Sequence, residues 1–73
     1  MTWKAIAIWN QSAREERSGS YREALATIRE WRDDAEFSGF RLVASRRSPG
    51  YRTWFYEDRD GGRWCAEFLL VRE

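Results

Sequence analysis

Ser20-Tyr21-Arg22-Glu23 opens the segment that most constrains the fold. A serine followed three residues later by glutamate has capping-box spacing. The hydroxyl accepts from the third helical N–H, and the carboxylate accepts from the N-cap N–H. Behind it Tyr21, Ala24, Leu25, Ile28, Trp31 and Ala35 recur at three- and four-residue steps, forming one apolar stripe. Gly39 suits the left-handed residue beyond a helix end, so the helix closes near residue 37. A helix with one apolar stripe needs an apolar layer to lie on.

The rest of the chain supplies a sheet. From residue 40 the apolar period becomes two, predicting strands over 40–47, 52–58 and 63–71. Ser48-Pro49-Gly50-Tyr51 has Pro and Gly where a type II turn requires them, and Asp60-Gly61-Gly62 reads as a hairpin turn. Upstream, residues 2–9 alternate as a strand, with Trp3, Ala5, Ala7 and Trp9 on one face and Lys4, Ile6 and Ile8 on the other. Both faces of this strand are largely apolar, as are both faces of the last strand at Phe68, Leu69, Leu70 and Val71. Residues 10–19 read as a polar loop. Ser12 and Glu15 repeat the capping spacing there, but no apolar stripe follows to hold a helix.

The expected fold is α+β in the order β-α-β-β-β, one small domain over residues 1–73. The amphipathic helix packs on one face of a mixed three- or four-stranded sheet. Because the helix returns the chain, the first strand should run parallel to the strand after it, and two hairpins make the last strand parallel as well. The first strand then pairs in parallel with the second or the fourth. The doubly apolar last strand reads as interior, with the first beside it.

Register decides which residues share a face. A two-residue Pro49-Gly50 loop pairs Ser45 with Trp54, Ala44 with Phe55 and Val43 with Tyr56. A two-residue Asp60-Gly61 loop pairs Phe55 with Ala66 and Tyr56 with Cys65. The core face would then carry Phe40, Leu42, Ala44, Thr53, Phe55, Trp64, Ala66, Phe68 and Leu70. The outer face would carry Val43, Ser45, Arg63, Cys65, Glu67 and Leu69, together with Arg41, Arg47, Arg52, Trp54 and Tyr56. Those last five are the candidate partner-binding residues. Trp, Tyr and Arg are the types enriched at binding hot spots.

Charge points to the same region. The net charge is only +1, so no global field drives association with nucleic acid or membrane. Residues 40–56 nevertheless hold Arg41, Arg46, Arg47 and Arg52 and no acid, whereas the helix region is acidic. All basic residues but Lys4 are Arg, which suits bidentate recognition of phosphate or carboxylate and equally suits a GC-rich codon bias.

Several chemistries are missing. There is no His, which removes the commonest general base and metal ligand. Cys65 is the single cysteine, so neither an internal disulfide nor a Cys-rich zinc site can form, and a redox role would need a lowered pKa. Asp58-Arg59-Asp60-Gly61 begins like a calcium loop but lacks the remainder. Glu57 and Asp58 are adjacent on a strand and point to opposite faces, which suits them poorly to joint acid–base work. The reading is non-enzymatic, with no cofactor, no metal and no membrane partner. With no signal peptide in view, a cytoplasmic location is expected. The expected function is an interaction module that binds a protein partner or itself, as a homodimer, through the outer sheet face. Size and composition associate it with phage and mobile-element accessory proteins. The alternative is single-stranded nucleic-acid binding, with bases stacked on Trp54 and Tyr56 and phosphates held by Arg.

Overall fold

A computed structural model describes residues 1–61 and 63–73. Its elements are β1 (Trp3–Trp9), β2 (Ala13–Gly19), α1 (Tyr21–Phe37), β3 (Phe40–Ser48), β4 (Tyr51–Asp58) and β5 (Cys65–Arg72). The five strands form one sheet in the order β2-β1-β5-β4-β3, with every neighbouring pair antiparallel. Gly62, the last residue of the expected Asp60-Gly61-Gly62 turn, lies outside the described residues. Among the described residues no helix is long and apolar enough to cross a membrane.

The helix follows its sequence signals. Glu23 N–H donates to Ser20 Oγ at 3.1 Å, and Ser20 N–H donates to Glu23 Oε1 at 2.9 Å, closing the capping box. Ala24, Ile28, Trp31 and Ala35 are buried. Beyond the helix, Gly39 takes φ +94°, a conformation costly for residues with a Cβ.

The mixed three- or four-stranded sheet is overturned by residues 13–19, which form a fifth strand rather than a polar loop. Asn10 and Gln11 both adopt positive φ (52° and 65°), and Ser12 N–H donates to the Trp9 carbonyl at 3.1 Å. Positive φ at both central positions is the sign of a type I′ turn, whose twist matches a hairpin. Asn10 is held further by Cys65: its N–H donates to the Cys65 carbonyl (2.8 Å), and its Oδ1 accepts from the Cys65 N–H (2.9 Å). The strand preceding the helix is therefore β2, not β1. The helix still returns the chain, so β2 and β3 run the same way, but they lie at opposite edges. β1 does lie beside β5, antiparallel to it.

The register differs by one residue between β4 and β5. Tyr56 pairs with Ala66 and Trp54 with Phe68. The cause is the β4–β5 loop. Asp58 N–H donates to the Trp64 carbonyl at 3.0 Å, while the Asp58 carboxylate accepts from the N–H groups of Asp60 (2.9 Å) and Trp64 (2.8 Å). That closes an odd-numbered loop over 59–63, where a two-residue turn would be even. An odd shift moves every side chain of a strand to the other face. On the β3 side the Pro49-Gly50 turn forms, Ser48 pairs with Tyr51, and Ser45 pairs with Trp54 as expected. A bulge at Val43 then breaks the ladder, so Leu42, not Val43, pairs with Tyr56.

The core gathers around Phe68 on the central strand. Its ring meets Trp9 (5.3 Å), Trp31 (6.3 Å, stacked) and Tyr56 (5.6 Å). Ala5, Ala7 and Ala66 are fully buried beside it. These small residues let α1 approach β1 and β5 closely, while the aromatic rings fill the space around the contact.

Candidate functional site

Four of the five sequence-selected residues share a face, but it is the helix-covered one. Trp54 is 1% exposed and Tyr56 0% exposed. Arg47 and Arg52 lie directly opposite each other on the same side of the sheet. Arg41 is separated from them by the bulge and sits on the other face, opposite Glu57. The expected outer position of Trp54 and Tyr56 is thus corrected by the odd loop over 59–63.

Those two rings have structural partners. The Tyr56 hydroxyl accepts from Arg32 Nε at 2.8 Å and donates to Glu36 Oε2 at 2.7 Å. Burial pushes the Tyr56 phenol above its ordinary pKa; Glu36 adds to that and Arg32 opposes it. The Arg32 guanidinium lies 5.2 Å from the Trp54 ring centroid, and that of Arg52 lies 4.6 Å from it. Helix α1 sits mainly over β1 and β5. Two guanidiniums with their apolar stems therefore roof the β4 side of the core.

Among the described residues the opposite sheet face carries no helix. Reading across the register, one row runs Glu16, Ile6, Leu69, Thr53, Arg46, and the next runs Arg14, Ile8, Glu67, Phe55, Ala44. A third places Lys4 beside Val71 and Tyr51. The centre of this face is thus Ile6, Ile8, Phe55, Leu69 and Val71, of which Ile6 is buried by its neighbours (8% exposed) and the other four are half-buried. Its β2 margin carries a small ionic network: Arg14 Nε donates to Glu16 Oε2 at 2.6 Å, and Lys4 Nζ reaches Glu16 Oε1 at 3.3 Å. These contacts, Arg14 first, hold the Glu16 carboxyl below the usual carboxylate range. The Glu67 carboxylate stands between Ile8 and Phe55 in this apolar surround. The sequence carried a signal for this face, since β1 and β5 are the two strands apolar on both sides.

Two open hollows flank Phe55. One, of about 380 Å³, includes Asn10, Glu57, Trp64 and Cys65; the other, of about 320 Å³, includes Arg46, Tyr51 and Glu67. In the first hollow Glu57 and Cys65 are cross-strand partners. Among the described residues no group of three or more Cys, Asp or Glu side chains is arranged to hold a metal ion. No protein-family model matches the chain, and comparison with curated proteins and with solved structures finds no match.

Proposed function

We propose that the protein is a non-catalytic interaction module whose uncovered sheet face binds a second copy of itself. One observation carries this reading: among the described residues the helix packs on one side of the five-stranded sheet only, and the other side is apolar at the centre. β5 is the middle strand, so a twofold axis running along it lays the face on its own image. Leu69 then meets Leu69 of the other copy, Ile8 meets Phe55, Ile6 meets Thr53, and Glu16 approaches Arg46. Aligned sheets pack in this way about 10 Å apart, with a twist of about 30° that keeps the central strands in register. Five strands of seven to nine residues present a footprint of about 500 Å² per copy, given ~4.8 Å between strands and ~3.3 Å per residue. The total of about 1,000 Å² stands at the lower threshold of a biological interface, the size of a weak, reversible dimer.

Single-stranded bases stacking on Trp54 and Tyr56, the alternative reading, draw no support from rings that are 1% and 0% exposed.

The test is sedimentation equilibrium over a concentration series. The wild type should show a reversible monomer–dimer equilibrium, and Leu69→Asp should abolish it while far-UV circular dichroism is unchanged. The twofold axis also brings Glu67 against its own copy, so Glu67→Gln should tighten the dimer. A wild type that stays monomeric at millimolar concentration would refute self-association. Tightening by Glu67→Gln that persists in Leu69→Asp would show that the axis lies elsewhere.

A further inference from the structure

A second feature lies on the helix side of the sheet, at the end where β5 finishes and α1 begins. We propose that Arg47, Arg52 and Arg72 form a binding site for a phosphoryl-type oxyanion, taken as free phosphate or as a small phosphomonoester. Arg47 and Arg52 are cross-strand partners of like charge on one face. Such a pair is unfavourable without a counter-ion. Arg72 comes from the neighbouring strand, and its guanidinium lies against Gly50. A Cβ built on Gly50 would stand 3.3–3.4 Å from Arg72 Nε, Cζ and Nη2. Gly50 also holds φ +74°, so the same residue makes the turn and leaves room for the guanidinium.

No ion pair among the described residues involves these three arginines. Two acids at this end of the sheet, one following Arg72 and one in the first turn of α1, are engaged elsewhere. Glu73 reaches Lys4 Nζ (3.8 Å), and Glu23 accepts from the Ser20 N–H (2.9 Å). Arg72 stands beside a hollow, against Gly50, rather than lining it; Arg47 and Arg52 line that hollow, of about 90 Å³, with Trp3, Tyr21, Ser48, Gly50 and Tyr51. That is room for a tetrahedral oxyanion and one face of an attached ring. Arg52 stacks on Trp54 and Arg72 packs on Gly50, so two of the three forks are held before a ligand arrives. Preorganisation lowers the ordering cost of binding, and the guanidinium fork matches phosphate geometry.

The experiment follows the arginine Nε–Hε resonances by NMR while inorganic phosphate or phenyl phosphate is titrated at constant ionic strength. Saturable shifts confined to Arg47, Arg52 and Arg72 are expected. Arg47→Gln and Arg72→Gln should each weaken binding about tenfold, or ~1.4 kcal/mol. Arg46→Gln, one residue away on the opposite face, should leave affinity unchanged. Arg52→Gln is avoided as the sole test because it also uncovers Trp54. Tighter binding of phenyl phosphate would assign the site to an organic ester, and equal affinity to the free anion. Equal shifts at Arg41, Arg46 and Arg59, or an Arg47→Gln/Arg72→Gln double variant that binds like wild type, would overturn the proposal.

Discussion

Truncating Trp54 and Phe55 in turn tests the register directly, because adjacent residues on β4 lie on opposite faces. Trp54 is 1% exposed beneath the Arg32 and Arg52 guanidiniums. Removing a large buried aromatic costs about 3–5 kcal/mol, and each lost guanidinium contact adds roughly 0.5–1 kcal/mol. A 73-residue chain at ordinary specific stability has only about 4–11 kcal/mol in total. Trp54→Ala should therefore be close to unfolding. Phe55 is half-buried on the uncovered face, so Phe55→Ala forfeits about half of a full burial term, roughly 1 kcal/mol. With a urea m-value of about 1 kcal/mol/M, the two midpoints should differ by about 2 M or more. The assay is urea denaturation followed by far-UV circular dichroism, at concentrations low enough for the monomer. Had a two-residue turn joined β4 and β5, Phe55 would be core and Trp54 exposed, and the order would reverse. A Phe55→Ala variant as damaging as Trp54→Ala would refute the register and, with it, the identity of the open face.

The Tyr56 hydroxyl joins charged groups on the helix to the sheet, so Tyr56→Phe should cost about 1–3 kcal/mol by thermal or urea unfolding. The Tyr56 pKa is raised in the folded state, so its contribution is complete below the unfolded value near 10 and declines as pH rises through the folded value. Stability of the wild type should therefore fall more steeply above pH 10 than that of Tyr56→Phe, and parallel slopes would contradict this. Ser20→Ala removes an N-cap hydroxyl and should lower stability by about 1 kcal/mol. The Ser20 backbone N–H and hydroxyl hold the Glu23 carboxyl below its usual range, a benefit present above the unfolded pKa and lost as pH falls through the folded one. Ser20→Ala keeps the backbone N–H at position 20, so the acid-sensitive part is tested by Glu23→Gln: its deficit against wild type should narrow on acidification, and a constant deficit from pH 7 to pH 2 would argue against the capping box.

The helix was legible because its signals are local. Ser20, Glu23 and the stripe from Ala24 to Ala35 all act within a few residues of one another. The central place of β5 was legible because burial on both faces leaves apolar residues in succession. β2 was not legible: Ala-Arg-Glu-Glu-Arg-Ser-Gly has no apolar alternation, and its strand form depends on a turn built by Asn10 and Gln11 and clasped by Cys65, 55 residues away in sequence. Missing one hairpin reversed the inferred direction of β1, while β3, β4 and β5 alternate as expected. The faces of β4 failed for a different reason. Hydrophobic pattern cannot separate Trp54 and Tyr56 from Thr53 and Phe55, since both sets contain aromatic residues. The choice falls to the Asp58 carboxylate, which sets an odd loop through hydrogen bonds to Asp60 and Trp64. The bulge at Val43, on an exposed edge strand, leaves no comparable mark in the sequence.

The arginines of the basic region divide once their surroundings are known. Helix α1 covers the β1–β5 half of the sheet, and a single helix is too narrow for five strands, roughly 10 Å against about 20 Å. The uncovered half of the inner face still contains Trp54 and Tyr56. Arg32 and Arg52 close it, because a guanidinium can lie flat on a ring while its outer edge remains hydrated. Lysine at either position would supply charge without a planar lid, which gives these two arginines a structural reason independent of any ligand. Arg47 and Arg72 have no ring beneath them in the described contacts; Arg47 lines one hollow with Arg52, and Arg72 lies beside it against Gly50. Arg41 and Arg46 face the other way, and Arg46 stands where the twofold arrangement would bring Glu16 of a second copy. The arginines therefore serve a lid over the aromatic core, an anion-binding corner that shares Arg52 with the lid, and a charged margin to the open sheet face.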